Sequence, residues 1–285
     1  MKINKRKRKN RKFNEADRSS ASLGFGKRFF KKILFVIISL AVWFTVWYIL
    51  ADYIDKEIII PKPDDVLVKL WNLMKGLSFW LACGKTILRI AAGTFMGVLS
   101  GVLLAGLMMV SGIAKMLFFL LISAVKATPV ASFIIAALFW IGRGNVPTFI
   151  AFLIVLPVVC DAVYTGFSNT DKNLLEFADV YCFSPVKKIK LIYIPSVIPY
   201  FLSALRTSIG MAWKSGVAAE VLCTPADSIG KSLYSTKVFM ETTDMFAWTL
   251  TIIILSILFE KLTVLAVGAG LKKYGYISEE NNIEN

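Results

Sequence analysis

The stretch Leu174–Pro199, LLEFADVYCFSPVKKIKLIYIPSVIP, is a polar and partly basic segment between two long apolar runs. Its lysines and carboxylates interrupt a sequence that is predominantly apolar on both sides. Such a segment is expected to lie outside the hydrocarbon of a membrane, between two helices that cross it. The stretch therefore predicts the organisation of the chain, with membrane spans before it and after it.

The composition of the whole chain also indicates an integral membrane protein. Of the 285 residues, 56% are hydrophobic and 18% are charged, whereas soluble domains carry about 25% charged residues. The net charge of +14 would suit a nucleic-acid ligand, but 13 of the 33 Lys and Arg fall within residues 1–32. A basic segment beside a span is typical of a topology signal and of contact with anionic lipid. We therefore expect membrane lipid and no nucleic acid as a partner.

Residue types that support enzyme chemistry or metal binding are scarce. The chain has no histidine, which is the commonest general base and metal ligand. Its four cysteines are scattered without a CxxC pair, which favours isolated thiols. We expect no catalytic residue and no metal site. The cysteines are Cys83, Cys160, Cys182 and Cys223.

Six apolar segments are long enough to cross about 30 Å of hydrocarbon. The third contains Lys126-Ala127-Thr128-Pro129, where the proline should kink the helix. An amphipathic helix after Pro63 should lie in the outer membrane interface. The first segment is too long for the core of a cleaved signal peptide. The predicted spans are Ile33–Ala51, Thr86–Val110, Met116–Ile141, Val146–Phe167, Ser196–Leu222 and Met245–Leu271.

Six spans place both termini on one side, and the distribution of positive charge predicts that this side is the cytoplasm. Segments on the side of the basic tail hold 20 Lys and Arg, and those on the other side hold 8, as the positive-inside rule requires. We divide the chain into a disordered basic cytoplasmic tail (1–32), the first span with the outer interfacial helix (33–85), a core transmembrane domain (86–271) with a cytoplasmic loop (168–195), and a short cytoplasmic tail (272–285).

The spacing within the cytoplasmic loop resembles the signature of binding-protein-dependent ABC importer permeases. That signature, the EAA motif, reads E-A-A, three residues, G, nine residues, then I-x-L-P. Cys182 stands where the family has glycine, which normally allows a tight turn between two short helices. The matching positions hold Glu176, Ala178, Ile192 and Pro195.

The resemblance extends over about Ile60–Leu271, where the chain is similar to the nitrate/sulfonate/taurine branch of these permeases. It rests on Thr86-Ile87-Leu88-Arg89, Thr128-Pro129, Trp140-Ile141-Gly142-Arg143-Gly144 and Ala218-Ala219-Glu220, among other matches. It implies an all-α membrane protein with the six-helix fold of ABC type I importer permeases. The branch also includes transporters of thiamine precursors and other small solutes.

This resemblance implies a cytoplasmic loop that docks on a separate ABC ATPase subunit, which would hold ATP and Mg, so no cofactor is expected in this chain. The other implied partners are an extracytoplasmic solute-binding protein and a second permease subunit, identical to this one or not, with a homodimer as the expectation. The chain would lie in the cell (plasma or inner) membrane. The implied coupling residues are Glu176, Ala178, Cys182, Phe183, Ser184, Pro185, Ile192 and Pro195.

Ionisable side chains inside spans are energetically costly and are therefore candidates for a translocation pathway. A cationic Lys214 or Arg206 would suit an anionic or sulfonate-like solute. Internal pairing is the alternative for Arg206, and Arg89 could extend to the outer surface. Glu220 is expected near the outer end of its span, within reach of water. The candidate pathway residues are Lys126, Trp140, Arg206, Trp213, Lys214 and Glu220.

Two short motifs that resemble phosphate-binding loops do not indicate ATP binding. Gly84-Lys85-Thr86 and Gly230-Lys231-Ser232 lack the earlier glycine of that motif, and neither follows a predicted strand. The sequence therefore favours an importer permease for a small anionic solute, or for a thiamine precursor or another small solute. A secondary transporter that uses Asp161 or Glu220 as a proton site is the remaining alternative.

Overall fold

The computed structural model describes residues 34–35, 37–54, 56–273 and 276. All regular secondary structure in these ranges is helical. The chain forms two compact units that divide between Val66 and Leu67. The predicted basic tail (1–32) and most of the short tail after 272 lie outside the described residues.

The first unit contains helix α1, Ile37–Ile54, which is long and apolar enough to cross a membrane. This helix confirms the first predicted span within the described residues and continues beyond its predicted end at Ala51. The Trp47 indole donates a hydrogen bond to the Pro61 carbonyl at 3.1 Å, and Lys62 pairs with Asp52 at 3.2 Å. Helix α2, Pro63–Met74, begins in this unit and confirms the predicted helix after the prolines.

The core of the second unit is formed by helices α3 (Leu77–Val110), α6 (Val146–Ser168) and α9 (Ile194–Cys223). Three glycines of α3, Gly93, Gly97 and Gly101, let α6 approach closely, as small residues do where helices pack within a membrane. A Cβ on Gly93 would lie 2.2 Å from the Thr148 carbonyl oxygen, and one on Gly97 would lie 2.7 Å from the Val155 Cβ. Helix α9 completes the core, because Gly216 leaves room for the Ile90 side chain.

The predicted third span is a bent pair of helices, α4 (Gly112–Ala127) and α5 (Val130–Trp140). Their axes differ by 106°, which confirms the predicted break at the proline and shows that the bend is sharp. Thr128 and Pro129 both leave the helical conformation, with ψ of 132° and 134°, and the residue before a proline is pushed towards extended geometry. The described residues thus contain five single helices able to cross a membrane, or six spans if the bent pair counts as one.

Short helices occupy the segments between the later spans. Between α6 and α9 lie α7 (Lys172–Val180), α8 (Pro185–Lys188) and one π-helical turn (Ile189–Tyr193), which joins α8 to α9 in one continuous helix. The polar segment 223–244 contains helix α10, Ile229–Val238. The last helix, α11, spans Thr242–Lys273. Helix α10 could not be recognised from apolar periodicity, because it is polar and has little amphipathic pattern.

Candidate functional site

The segment 172–195, which holds the motif resemblance, folds as two short helices joined by a tight turn. Asp171 caps α7 by accepting a hydrogen bond from the Asn173 N–H at 2.9 Å, as expected for an N-cap carboxylate. Within α7, Ala178 is completely buried, whereas Glu176 is exposed. The alanine position is therefore used for packing within the chain, and the glutamate remains available at the surface.

Cys182 forms the turn between α7 and α8 in the left-handed conformation, with a φ of 52°. The Cys182 N–H donates to the Asp179 carbonyl at 3.0 Å, and the Phe183 N–H donates to the Ala178 carbonyl at 2.8 Å. These two hydrogen bonds define a Schellman motif, in which the left-handed residue is usually glycine. The turn expected from the family's glycine is therefore present, although a cysteine forms it.

Side-chain contacts within the segment hold α7 and α8 together. The Phe183 ring meets the Phe177 ring edge-on at 6.3 Å, which is the apolar contact that accompanies a Schellman motif. The Lys187 ammonium lies 4.0 Å from the centre of the Phe183 ring. Lys188 forms an ion pair with Asp179. The segment is thus a preformed hairpin of helices.

The outer surface of this hairpin combines exposed apolar side chains with lysines. Such a contiguous apolar surface beside polar groups is typical of a protein interaction site. Of the remaining predicted coupling residues, Ser184, Pro185 and Pro195 are exposed, and Ile192 is buried. The exposed apolar residues are Leu174, Phe177, Val180, Tyr181, Val186, Ile189 and Leu191.

At the opposite end of α9, the Glu220 carboxylate is completely buried and binds three groups from other elements. It accepts hydrogen bonds from the Thr86 hydroxyl at 2.8 Å, from the Arg89 guanidinium at 3.2 Å and from the Gly230 N–H at 3.2 Å. The Thr86 hydroxyl in turn accepts from the Ile229 N–H at 3.1 Å. We call these five residues the Glu220 cluster. They connect α3, α9 and α10.

The Glu220 cluster also explains why α10 begins where it does. Ile229 and Gly230 open this helix, so their free N–H groups and the helix dipole favour the carboxylate. A Cβ on Gly230 would lie 2.3 Å from the Glu220 Cβ, so only glycine fits there. Beside the cluster, Lys85 pairs with Asp227 at 2.5 Å and lowers the pKa of that carboxyl.

This arrangement differs from the expectations for Glu220 and Arg89. Glu220 is not within reach of water, and Arg89 binds Glu220 and the Ala226 carbonyl rather than extending to the outer surface. Trp213 is 1% exposed and packs against Phe259, with ring centres 5.7 Å apart. Sequence reasoning missed the roles of Thr86, Arg89 and Gly230, because their common partner Glu220 lies 134, 131 and 10 residues away along the chain, respectively.

Arg206 and Lys214, by contrast, are exposed along α9 and form no ion pair with any described residue. Arg206 shares a helix face with Trp213 through a spacing of seven residues, but neighbouring helices cover Trp213 and leave Arg206 exposed. An uncompensated cation inside a span costs about 2.5–3.5 kcal/mol in insertion measurements. These two side chains therefore require water or another chain beside them.

The last two candidate pathway residues belong to the bent pair. Lys126, in the last turn of α4, forms an ion pair with Asp161 of α6. Trp140 ends α5 with 85% of its side chain exposed. The structure thus leaves Lys126, Trp140, Arg206 and Lys214 at the surface of the chain, and it buries Trp213 and Glu220.

Several apolar spans and a helical hairpin with exposed apolar side chains are the features expected of a multi-pass membrane transport subunit of the ABC permease class. Residues 93–268 match the family described as "Binding-protein-dependent transport system inner membrane component", and the chain belongs to that family. Its members are transport components of the inner membrane rather than enzymes.

Individual proteins similar to this chain support the same class. The taurine transport system permease protein TauC of Escherichia coli is 23% identical over 81% of this chain and 86% of its own length. The nitrate import permease protein NrtB of Synechococcus elongatus is 23% identical over 67% of this chain and 72% of its own length. The fold is similar to that in the crystal structure of an amino acid ABC transporter, with a TM-score of 0.55 at 16% identity, over 70% of this chain and 94% of that one.

Proposed function

We propose that this chain is the permease subunit of an ATP-driven importer for a small solute that carries an anionic group, such as a sulfonate. A binding protein delivers the solute from outside, and a pair of ATPase subunits holds ATP and Mg on the cytoplasmic side. The observation that carries the proposal is the preformed hairpin at 172–195, because it exposes apolar side chains within the segment that carries the EAA-like spacing from Glu176 to Pro195.

In this proposal the hairpin faces the cytoplasm, together with both termini, and inserts into a groove of the ATPase subunit. Val186 and Ile189 supply apolar anchors, while Lys187 and Lys190 remain in water or meet acidic groups of the partner. Because α8 continues through the π-helical turn into α9, a movement of the hairpin is transmitted to the helix that carries Arg206 and Lys214.

The anionic character of the solute is supported by those two cations and by the relatives. Lys214 and Arg206 are eight residues apart, or about 12 Å along a helix axis. A second copy of the permease, packed beside this one, encloses an aqueous path in which both side chains line the wall. The relatives TauC and NrtB are permeases for taurine, which carries a sulfonate, and for nitrate.

Uptake by proteoliposomes that contain the permease, its ATPase and the loaded binding protein tests this function. We expect labelled ethanesulfonate, taurine or nitrate to accumulate with ATP and to stay outside with a non-hydrolysable ATP analogue. Lys214→Ala should lower uptake without releasing the ATPase, and Lys115→Ala, on α4, serves as its control. Uptake that ignores ATP and follows an imposed proton gradient would instead identify a secondary transporter.

A further inference from the structure

The ion pair between Lys126 and Asp161 joins the bent pair of helices to the core. Asp161 is the only charged side chain in α6, and Lys126 lies two residues before the unwound Thr128-Pro129. Both members of the pair are also partly exposed: the Lys126 side chain is 46% exposed and that of Asp161 is 38% exposed. Within a membrane, charged groups at such positions mark solute pathways or relays rather than simple packing.

The bent pair is loosely attached to the rest of the second unit. Ile122 is the only buried residue of α4, and Ile134 and Ala137 are the only ones of α5. Elements with few buried apolar contacts open most readily. Unwound backbone at membrane depth also requires a water-filled cavity or a covering protein beside it. We therefore expect water or a second chain beside Lys126, whose side chain is 46% exposed and can be reached by a solute.

We propose that Asp161 is a specificity-determining residue that competes with the anionic group of the solute for Lys126. Without solute, Asp161 neutralises Lys126 and holds α4 against α6. When the solute enters, its anionic group replaces Asp161 at the Lys126 ammonium, and the bent pair is released. An ion pair between half-exposed groups is weak, so a second anion can displace the carboxylate. This inference rests on the proposed transport of an anionic solute.

Competition predicts opposite effects for the two members of the pair. Asp161→Asn removes the competitor, so the KM for ethanesulfonate should fall by at least roughly threefold, and ATP hydrolysis without solute should rise. Lys126→Gln removes the cation, so the KM should rise about tenfold, which corresponds to about 1.4 kcal/mol. A pair that served only to stabilise the fold would instead change both variants in the same direction.

The measurement uses ethanesulfonate uptake and ATP hydrolysis by the complete complex in proteoliposomes. Asp161→Glu keeps a carboxylate and should restore the KM of the unaltered complex, and Lys115→Gln controls for the loss of a lysine from α4. Co-purification of the ATPase shows that each variant is assembled. If the unaltered complex imports none of ethanesulfonate, taurine and nitrate, the proposed function and this inference both fail. If it imports one of them, and both variants shift the KM for that anion in the same direction or leave it within twofold, the inference alone fails.

Discussion

At one end of α9, Glu220 is completely buried and all of its hydrogen-bond partners belong to the same chain. At the other end, the helix continues into a hairpin where Val186 and Ile189 are 73% and 51% exposed. Each end also contains a residue that defines the end of a neighbouring helix: Gly230 at the start of α10 and Cys182 after the end of α7. The two ends of α9 therefore differ in what they require. The polar groups of the Glu220 cluster are satisfied within the chain, whereas the hairpin exposes an apolar surface that a second protein can cover.

Removing the Glu220 carboxylate should have the largest effect on the stability of the permease. In Glu220→Ala, Arg89 and the N–H groups at the start of α10 lose their acceptor, and breaking a buried ion pair costs about 3–5 kcal/mol. We expect a large drop in the thermal unfolding midpoint of the purified permease. Glu241→Gln, at an exposed carboxylate after α10, should change stability by less than about 0.5 kcal/mol. Equal midpoints for the two variants would contradict the role of the cluster.

A smaller loss should follow from adding one methyl group inside the cluster. In Gly230→Ala, the new Cβ would lie 2.3 Å from the Glu220 Cβ, and overpacking of this kind costs about 1–3 kcal/mol. Gly106→Ala is the matched control, because a Cβ on Gly106, within α3, would have no heavy atom within 4 Å. Thermal unfolding of both variants checks the prediction, which fails if Gly230→Ala is as stable as the control.

The smallest expected effect concerns the hairpin and has the opposite sign. Cys182 has a φ of 52°, which glycine adopts without the steric cost that a Cβ imposes. We therefore expect Cys182→Gly to stabilise the hairpin by up to about 1–2 kcal/mol. Amide hydrogen exchange at Phe183, whose N–H closes the Schellman motif, should become slower. Faster exchange in this variant would show that the cysteine side chain contributes contacts of its own.

Local periodicity predicted much of the fold because it depends on residues close in the chain. The apolar segments and the break at Pro129 follow from local composition and spacing. The spacing from Glu176 to Pro195 likewise predicted where the hairpin lies. These features need no knowledge of which helices are neighbours.

The remaining features depend on contacts that periodicity does not encode. The pairing of Glu220 with Arg89 joins residues 131 positions apart, so the burial of Glu220 could not be inferred from its own helix. Helix α10 was missed because caps from Ser228 and Glu220 define its start, rather than an amphipathic pattern. The 106° angle between α4 and α5 depends on which helices α5 packs against, and a proline in the sequence does not specify those contacts.

The central claim, that the hairpin is the docking site for the ATPase, is tested most directly by placing a charge on its exposed surface. Val186→Asp should abolish co-purification of the ATPase, because losing a central apolar anchor costs about 2 kcal/mol or more, while the unfolding midpoint of the permease stays unchanged. Val238→Asp, at a similarly exposed valine of α10, is the control and should retain the ATPase. Undiminished co-purification and ATP-driven uptake with Val186→Asp would contradict the account.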